Sequence, residues 1–165
     1  MITANMELAE TSAVPNGFHT IAPSPGSTAT CGTGQMEPRV LVIDDESSMC
    51  DLLSLYLGQK GLEMATVRTV AEARPLVEQG LFDVVILDGK LDGAEGLDLL
   101  HLSKTLHPDI PVIIFTGADL SEGSFQCGLA HEADEVVRKM GPLDALCAAI
   151  FRRLEKHSPQ RLVVA

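Results

Sequence analysis

The chain has 165 residues, a formal net charge of −11 and 45% hydrophobic residues. This length predicts one domain with a buried core, and the acidic balance with scattered basic residues argues against binding to nucleic acid. The sequence contains neither an apolar run of the roughly 20 residues that a membrane-spanning helix needs nor a secretory signal, so we expect a cytoplasmic protein without membrane contact.

Residues 1–36 are rich in Ser, Thr, Pro, Gly and Ala, with prolines at positions 15, 23 and 25. Such a segment has too little apolar surface to offset its ordering entropy, so we expect a disordered tail. Met36 stands just before the first predicted strand, and the sequence leaves open whether translation begins at Met1 or Met36. We expect one folded domain over residues 37–157, followed by a short tail at 158–165.

Strands and helices alternate from Arg39 onward. Apolar, β-branched runs at 40–45, 83–88, 111–116 and 135–139 have the length and composition of buried parallel strands. A further strand is predicted at 62–67, and helices are predicted from about 49 to Gly61, at 70–79, 97–106 and 120–130, and from 143 onward. Pro75 is expected to disturb the second helix, and two glycines weaken the fourth.

Five βα units in this order predict an α/β fold with a doubly wound parallel sheet, strand order 2-1-3-4-5. Parallel strands place their carboxyl ends at one edge, where ligands bind in such sheets. The strands that begin at positions 40, 83, 111 and 135 end in polar residues: Asp44 and Asp45, Asp88, Thr116 and Lys139. We therefore expect three carboxylates, a hydroxyl and an ammonium group to meet in one crevice.

Crowded carboxylates repel one another unless a cation lies between them. Mg²⁺ suits this site, because it binds one or two carboxylates and completes its coordination with water and phosphate oxygens. Lys139 and Thr116 are suited to contact a phosphoryl group. Asp88 is the candidate nucleophile, since a carboxylate attacking phosphorus forms an acyl phosphate.

Each of these residues taken alone has a simpler explanation. The aspartates are also common caps of helices and turns, and Thr116 and Lys139 are also explained as solvated strand ends. Five such residues at the carboxyl ends of apolar strands are much harder to attribute to chance. The joint interpretation as a phosphoryl and metal site is therefore preferred.

These residues resemble the receiver domain of bacterial two-component response regulators over about residues 37–156. The motifs that carry the resemblance are VLVIDD at 40–45 followed by Glu46, DGKLDG at 88–93 followed by Gly96, FTG at 115–117 and ADEVVRK at 133–139. The resemblance implies a flavodoxin-like fold and transfer of phosphate to Asp88 from a histidine kinase or phosphotransfer protein. It also implies direct Mg²⁺ ligation by Asp45, largely water-mediated contact by Asp44, a further ligand in the Lys90 backbone carbonyl, and phosphoryl contacts from Thr116 and Lys139.

The sequence departs from the usual receiver pattern at three positions. Asp92 and Met140 stand where receivers usually have proline, and Val136 stands at a switch position that is commonly Tyr or Phe. The phosphate chemistry is expected to be intact, whereas the route by which phosphorylation reaches the fourth-helix face is expected to differ. The Lys139–Met140 peptide bond should be trans.

Other polar residues receive no firm role. The Lys90 side chain is equally explained as a contact to the phosphate or the carboxylate cluster, or as a solvated loop lysine, and Asp92 is best explained as a turn residue. Residues 101, 107 and 131 are histidines without a carboxylate or cysteine partner at ligand spacing. The four cysteines, Cys31, Cys50, Cys127 and Cys147, lie far apart and are expected to be reduced structural thiols.

We expect a single-domain signalling protein, not an enzyme, that acts on a downstream protein target without an output domain. One rival is a receiver-like module that is never phosphorylated. The other is a phosphohydrolase of the haloacid dehalogenase type, which needs an acid two residues after its nucleophile, where this chain has Lys90.

Overall fold

The computed structural model describes residues 37–91, 94–117 and 131–157. Its five strands form one parallel sheet in the order β2-β1-β3-β4-β5. The strands are β1 (Arg39–Ile43), β2 (Glu63–Val67), β3 (Val84–Asp88), β4 (Val112–Thr116) and β5 (Glu135–Arg138). The predicted doubly wound topology and strand order are therefore confirmed.

Four helices of the described residues cover the two faces of the sheet. They are α1 (Ser47–Gly58), α2 (Val70–Gln79), α3 (Ala94–Leu106) and α4 (Leu143–His157). Because strand side chains alternate between faces, Val40 and Val42 pack with buried residues of α1 and α4, while Leu41 and Ile43 pack with those of α2 and α3. The predicted helix at 120–130 and the predicted tails lie outside the described residues.

The helix boundaries follow from local signals, with two differences. The second helix runs from Val70 to Gln79 as predicted; the Thr69 side chain caps it by accepting from Glu72 N–H, and Gly80 ends it in the left-handed conformation. The first helix ends at Gly58, three residues early, because a turn with Gly61 at φ 82° follows it. The third begins at Ala94, three residues before the predicted start at 97.

The central strands β1, β3 and β4 are almost wholly buried, as expected for parallel strands covered on both faces. The prediction that residues 135–139 form a buried strand is wrong in part, because β5 is an edge strand of the described sheet and only Val137 within it is buried. No helix in the described parts of the chain is both long and apolar enough to cross a membrane.

Candidate functional site

The register of the sheet brings Asp44 and Asp88 together. Ile43 lies opposite Leu87 in the β1–β3 pair. Asp44 and Asp88, the next residues along the two strands, therefore stand side by side at the carboxyl edge of the sheet. Both side chains are almost fully buried, with 2% and 4% of their surface exposed. The alternation of strand side chains places both on the same face, the one covered by α1 and α4.

Asp44, Asp45 and Asp88 form a tight acidic cluster. One carboxylate oxygen from each lies within 4.8 Å of the others, and the Asp45 side chain is exposed. These are hard oxygen donors of the kind that Mg²⁺ prefers. The donor set of this cluster therefore fits a divalent cation.

Lys139 binds both buried carboxylates. Its Nζ lies 2.6 Å from Oδ2 of Asp44 and 3.1 Å from Oδ2 of Asp88. The remaining oxygen of each carboxylate accepts a main-chain N–H from two residues further on, Glu46 for Asp44 (3.0 Å) and Lys90 for Asp88 (3.1 Å). The two aspartates thus have matching environments, each with one oxygen on a backbone amide and one on the ammonium group.

Burial and charge oppose each other at Asp88. Burial, with a smaller contribution from the charge of Asp44, raises the pKa of this carboxyl group above its ordinary value against the lowering effects of the Lys90 N–H and the Lys139 ammonium. At Lys139 burial lowers the pKa, but the hydrogen bond that the ammonium donates to Asp44 and the charges of Asp88 and Asp44 together outweigh it and hold the pKa above its ordinary value. Lys139 is therefore a firmly protonated cation.

Thr116 lies at the carboxyl end of β4, next to Gly89. Its side chain is fully buried, and a Cβ atom built on Gly89 would stand 2.8 Å from both its Cβ and Oγ1 atoms. Its carbonyl accepts the Lys139 N–H at 2.8 Å, which extends the β4–β5 pairing one residue beyond β5. The structure thus places Thr116 directly against the Asp88–Gly89 backbone.

The residues around this site include one contact that the sequence did not reveal. The Cys50 thiol, predicted only to be a structural cysteine, donates to the main-chain carbonyl of Asp44 with Sγ and O 3.3 Å apart. Burial, followed by the charges of Asp44 and Asp51, raises the pKa of Cys50 to about 11, so the thiol is protonated and able to donate. In the sequence, the position of Cys50 on the core-facing side of a helix was the only signal for this contact.

Several further predictions concern residues near the site. The Lys90 side chain is exposed, and the roles of its ammonium group and its backbone carbonyl stay predictions, while Asp92 lies outside the described residues. Val136 is half-buried against the core on the α2 and α3 side. Met140 is 91% exposed, and the Lys139–Met140 peptide bond is trans, as predicted.

Two of the histidines that had no partner in the sequence have partners in the fold. His101 Nδ1 lies 3.4 Å from a Glu132 carboxylate oxygen, and His107 Nε2 lies 3.1 Å from the Glu78 carbonyl oxygen. Neither contact touches the acidic cluster.

A family model described as the response regulator receiver domain matches residues 40–151. The chain belongs to this family. Receiver domains are signalling modules of two-component systems that accept a phosphoryl group on an aspartate and bind Mg²⁺ at an acidic pocket. The predicted resemblance and the flavodoxin-like fold are confirmed.

This receiver domain is similar to curated regulators and solved receivers. The regulatory protein VanR of Enterococcus faecium is 32% identical over 126 residues, which are 74% of this chain and 54% of that protein. A response regulator receiver domain protein from Clostridium thermocellum is 28% identical with a TM-score of 0.66, covering 74% of this chain and 98% of that one. The response regulator TrrA of Thermotoga maritima, solved in complex with Mg²⁺ and BeF, is 28% identical with a TM-score of 0.62, covering 70% and 98%.

The receiver spans about a quarter to a half of the length of the curated relatives it matches.

Proposed function

We propose that this receiver domain accepts a phosphoryl group on Asp88 from the phosphohistidine of a histidine kinase or phosphotransfer protein, with Mg²⁺, and then acts on a downstream protein target. The observation that carries this assignment is the position of Asp88. Its buried carboxylate belongs to the acidic cluster and is within 3.1 Å of the Lys139 ammonium. Asp88 therefore lies beside both the proposed Mg²⁺ site and the Lys139 ammonium group.

In the proposed transfer, an Asp88 carboxylate oxygen forms a bond to phosphorus. The phosphorus–nitrogen bond of the donor phosphohistidine breaks, and its electron pair returns to the imidazole ring, which remains on the donor as neutral histidine after proton exchange. Lys139 pairs with a phosphoryl oxygen in place of Asp88, and the Thr116 hydroxyl donates a hydrogen bond to another. The receiver thus assists its own phosphorylation without turning over a substrate.

We assign the cation site to Asp44, Asp45 and Asp88, with the Lys90 backbone carbonyl as a further ligand. The cluster supplies carboxylate oxygens within 4.8 Å of one another, which fits Mg²⁺. Asp45 is assigned direct ligation, because it is exposed and Lys139 contacts Asp44 and Asp88; Asp44 acts largely through water. When bound, Mg²⁺ supplies positive charge to the carboxylates and phosphoryl oxygens.

The test is phosphorylation by acetyl phosphate, followed by intact mass measurement. The parent protein with Mg²⁺ should gain one hydroxylamine-labile phosphoryl group, and EDTA should prevent the gain. Asp88→Asn should not be labelled, whereas Asp98→Asn, at an exposed position of α3, should be labelled like the parent. Labelling of Asp88→Asn at the parent rate would refute the assignment, and a parent that is never labelled would favour a binding module that is not phosphorylated.

Residues 37–157 are proposed as the complete phosphoacceptor domain. Every side chain assigned above lies within this range, as does the matched family region at 40–151. A protein truncated to 37–157 should therefore be labelled at the parent rate. The absence of nucleic-acid binding and the cytoplasmic location stay predictions; the first rests on the net charge of −11.

A further inference from the structure

Cys50 lies directly beneath the acidic cluster. It belongs to the first turn of α1, only 5% of its surface is exposed, and its Sγ atom is 3.3 Å from the main-chain oxygen of Asp44. Its own N–H bonds to the Glu46 carbonyl at 3.1 Å. The helix therefore holds the thiol in a fixed position relative to the loop that joins β1 to α1.

This thiol contact acts on the peptide unit between two of the three clustered aspartates. The Asp44 carbonyl belongs to the peptide that links Asp44 to Asp45. On its other side Asp44 is already fixed, because its N–H bonds to the Val67 carbonyl at 3.1 Å and its side chain accepts the Glu46 N–H. Holding the carbonyl as well fixes the plane of the peptide, and with it the direction in which the chain enters Asp45.

The direction of the backbone matters most for Asp45. Asp44 and Asp88 are buried and held by Lys139, whereas Asp45 is exposed. An exposed carboxylate is oriented mainly by its own main chain, because it has few packed neighbours. A neutral donor such as a thiol is also suited to this place, because it adds no further negative charge to three carboxylates.

We propose that Cys50 is a positioning residue for the cation site, which orients the Asp45 carboxylate through its hydrogen bond to the Asp44 carbonyl. The inference rests on the proposed function, since it assumes that the acidic cluster binds Mg²⁺. Groups one step behind a metal ligand typically change metal affinity by about ten- to a hundredfold. A thiol is a weak donor, so we expect an effect at the low end of that range.

The experiment is a Mg²⁺ titration of the full chain without phosphate, followed through backbone amide NMR shifts. Cys50→Ala should weaken Mg²⁺ binding by about tenfold, and Cys50→Ser, which retains a donor, should stay within about twofold of the parent. Cys147→Ala is the matched control, because Cys147 is a buried thiol of α4 on the same face of the sheet. It should bind Mg²⁺ like the parent.

The outcomes separate a positioning role from a purely structural one. If Cys50→Ala destabilises the fold but binds Mg²⁺ as tightly as the parent, or if Cys50→Ser binds as weakly as Cys50→Ala, the inference is wrong. Should Cys50→Ala not fold, Cys50→Val, which has a similar volume and no donor, replaces it with the same expectation. A parent that binds no Mg²⁺ would overturn the proposed function, and this inference with it.

Discussion

The Lys139 ammonium lies closer to Asp44, at 2.6 Å, than to the proposed phosphoacceptor Asp88, at 3.1 Å. Asp44 is also the more buried of the two carboxylates, and 95 positions separate it from Lys139 in the chain. Lys139 thus serves as the counter-charge of the two buried carboxylates, both of which belong to the proposed cation site. The contribution of Lys139 to the stability of the fold and its contribution to the chemistry of the site can both be measured.

Replacing Lys139 should destabilise the protein in a way that Mg²⁺ repairs. Lys139→Met leaves two buried carboxylates without their cation, which should lower the free energy of unfolding by about 3 kcal/mol. Because a ligand that binds only the folded state stabilises it, Mg²⁺ should raise the unfolding free energy of Lys139→Met more than that of the parent. Urea unfolding with and without Mg²⁺ measures both effects. Lys156→Met, at an exposed position of α4, should behave like the parent, and an equal response of Lys139→Met to Mg²⁺ would contradict the prediction.

The buried, ionised Asp88 carboxylate should lower the free energy of unfolding at neutral pH. Its pKa is raised above the ordinary value of 3.8, mainly by burial, so the folded state retains its proton to higher pH than the unfolded state does. The stability contributed by Asp88 is therefore present below pH 3.8 and is lost as the pH rises through the raised pKa. Asp88→Asn should increase the unfolding free energy at pH 7 by about 0.5–2 kcal/mol, and this advantage should shrink towards low pH.

Urea unfolding of Asp88→Asn at a series of pH values provides the measurement. The control is Asp109→Asn, since Asp109 is exposed and its replacement should change stability by less than about 0.5 kcal/mol. An Asp88→Asn variant less stable than the parent at pH 7 would show that the pairing with Lys139 outweighs the cost of burial.

Gly89 should be required for the placement of Thr116. A methyl group at this position would stand 2.8 Å from both Cβ and Oγ1 of Thr116, so Gly89→Ala must displace the threonine or the loop. Misplacing a catalytic group by about 1 Å can reduce a rate by about a hundredfold, and we expect acetyl phosphate to label Gly89→Ala at least about tenfold more slowly. Gly58→Ala is the control, because a Cβ there meets nothing within 4 Å. Parent-like labelling of Gly89→Ala would show that Thr116 has room to move.

Tyr56, the single tyrosine of the chain, should report the contact between α1 and α4. Its hydroxyl donates to an Asp144 carboxylate oxygen, and this hydrogen bond is the main cause that raises the pKa of Tyr56 from 10.0 to about 12. The stability it contributes is present below pH 10 and is lost as the pH rises through about 12.

The phenolate absorbance gives the Tyr56 titration directly, as no tryptophan is present. In Asp144→Ala the midpoint should fall towards 10, whereas Asp98→Ala on α3 should leave it unchanged. A parent midpoint near 10 would mean that the hydrogen bond is not maintained in solution.

Local patterns in the sequence predicted the sheet topology and its central strands. The apolar runs marked the central strands because buried parallel strands need continuous apolar surface. The helix Val70–Gln79 was predicted with its observed bounds, and in the structure Thr69 and Gly80 cap its two ends. The placement of Asp44, Asp45, Asp88, Thr116 and Lys139 at strand ends also followed from these runs.

Tertiary structure alone decided the pairings inside the site. It determined that Asp44 and Asp88 are buried and that Asp45 is exposed. It also placed the Lys139 ammonium closer to Asp44 than to Asp88, and the Cys50 thiol in hydrogen-bond contact with the Asp44 carbonyl. These contacts depend on sheet register and on how α1 packs over the strand end, and a shift of one residue would turn each side chain to the other face. Hydrophobic periodicity is a property of neighbours along the chain, whereas a 2.6 Å contact between residues 95 positions apart is created only when the strands between them pair.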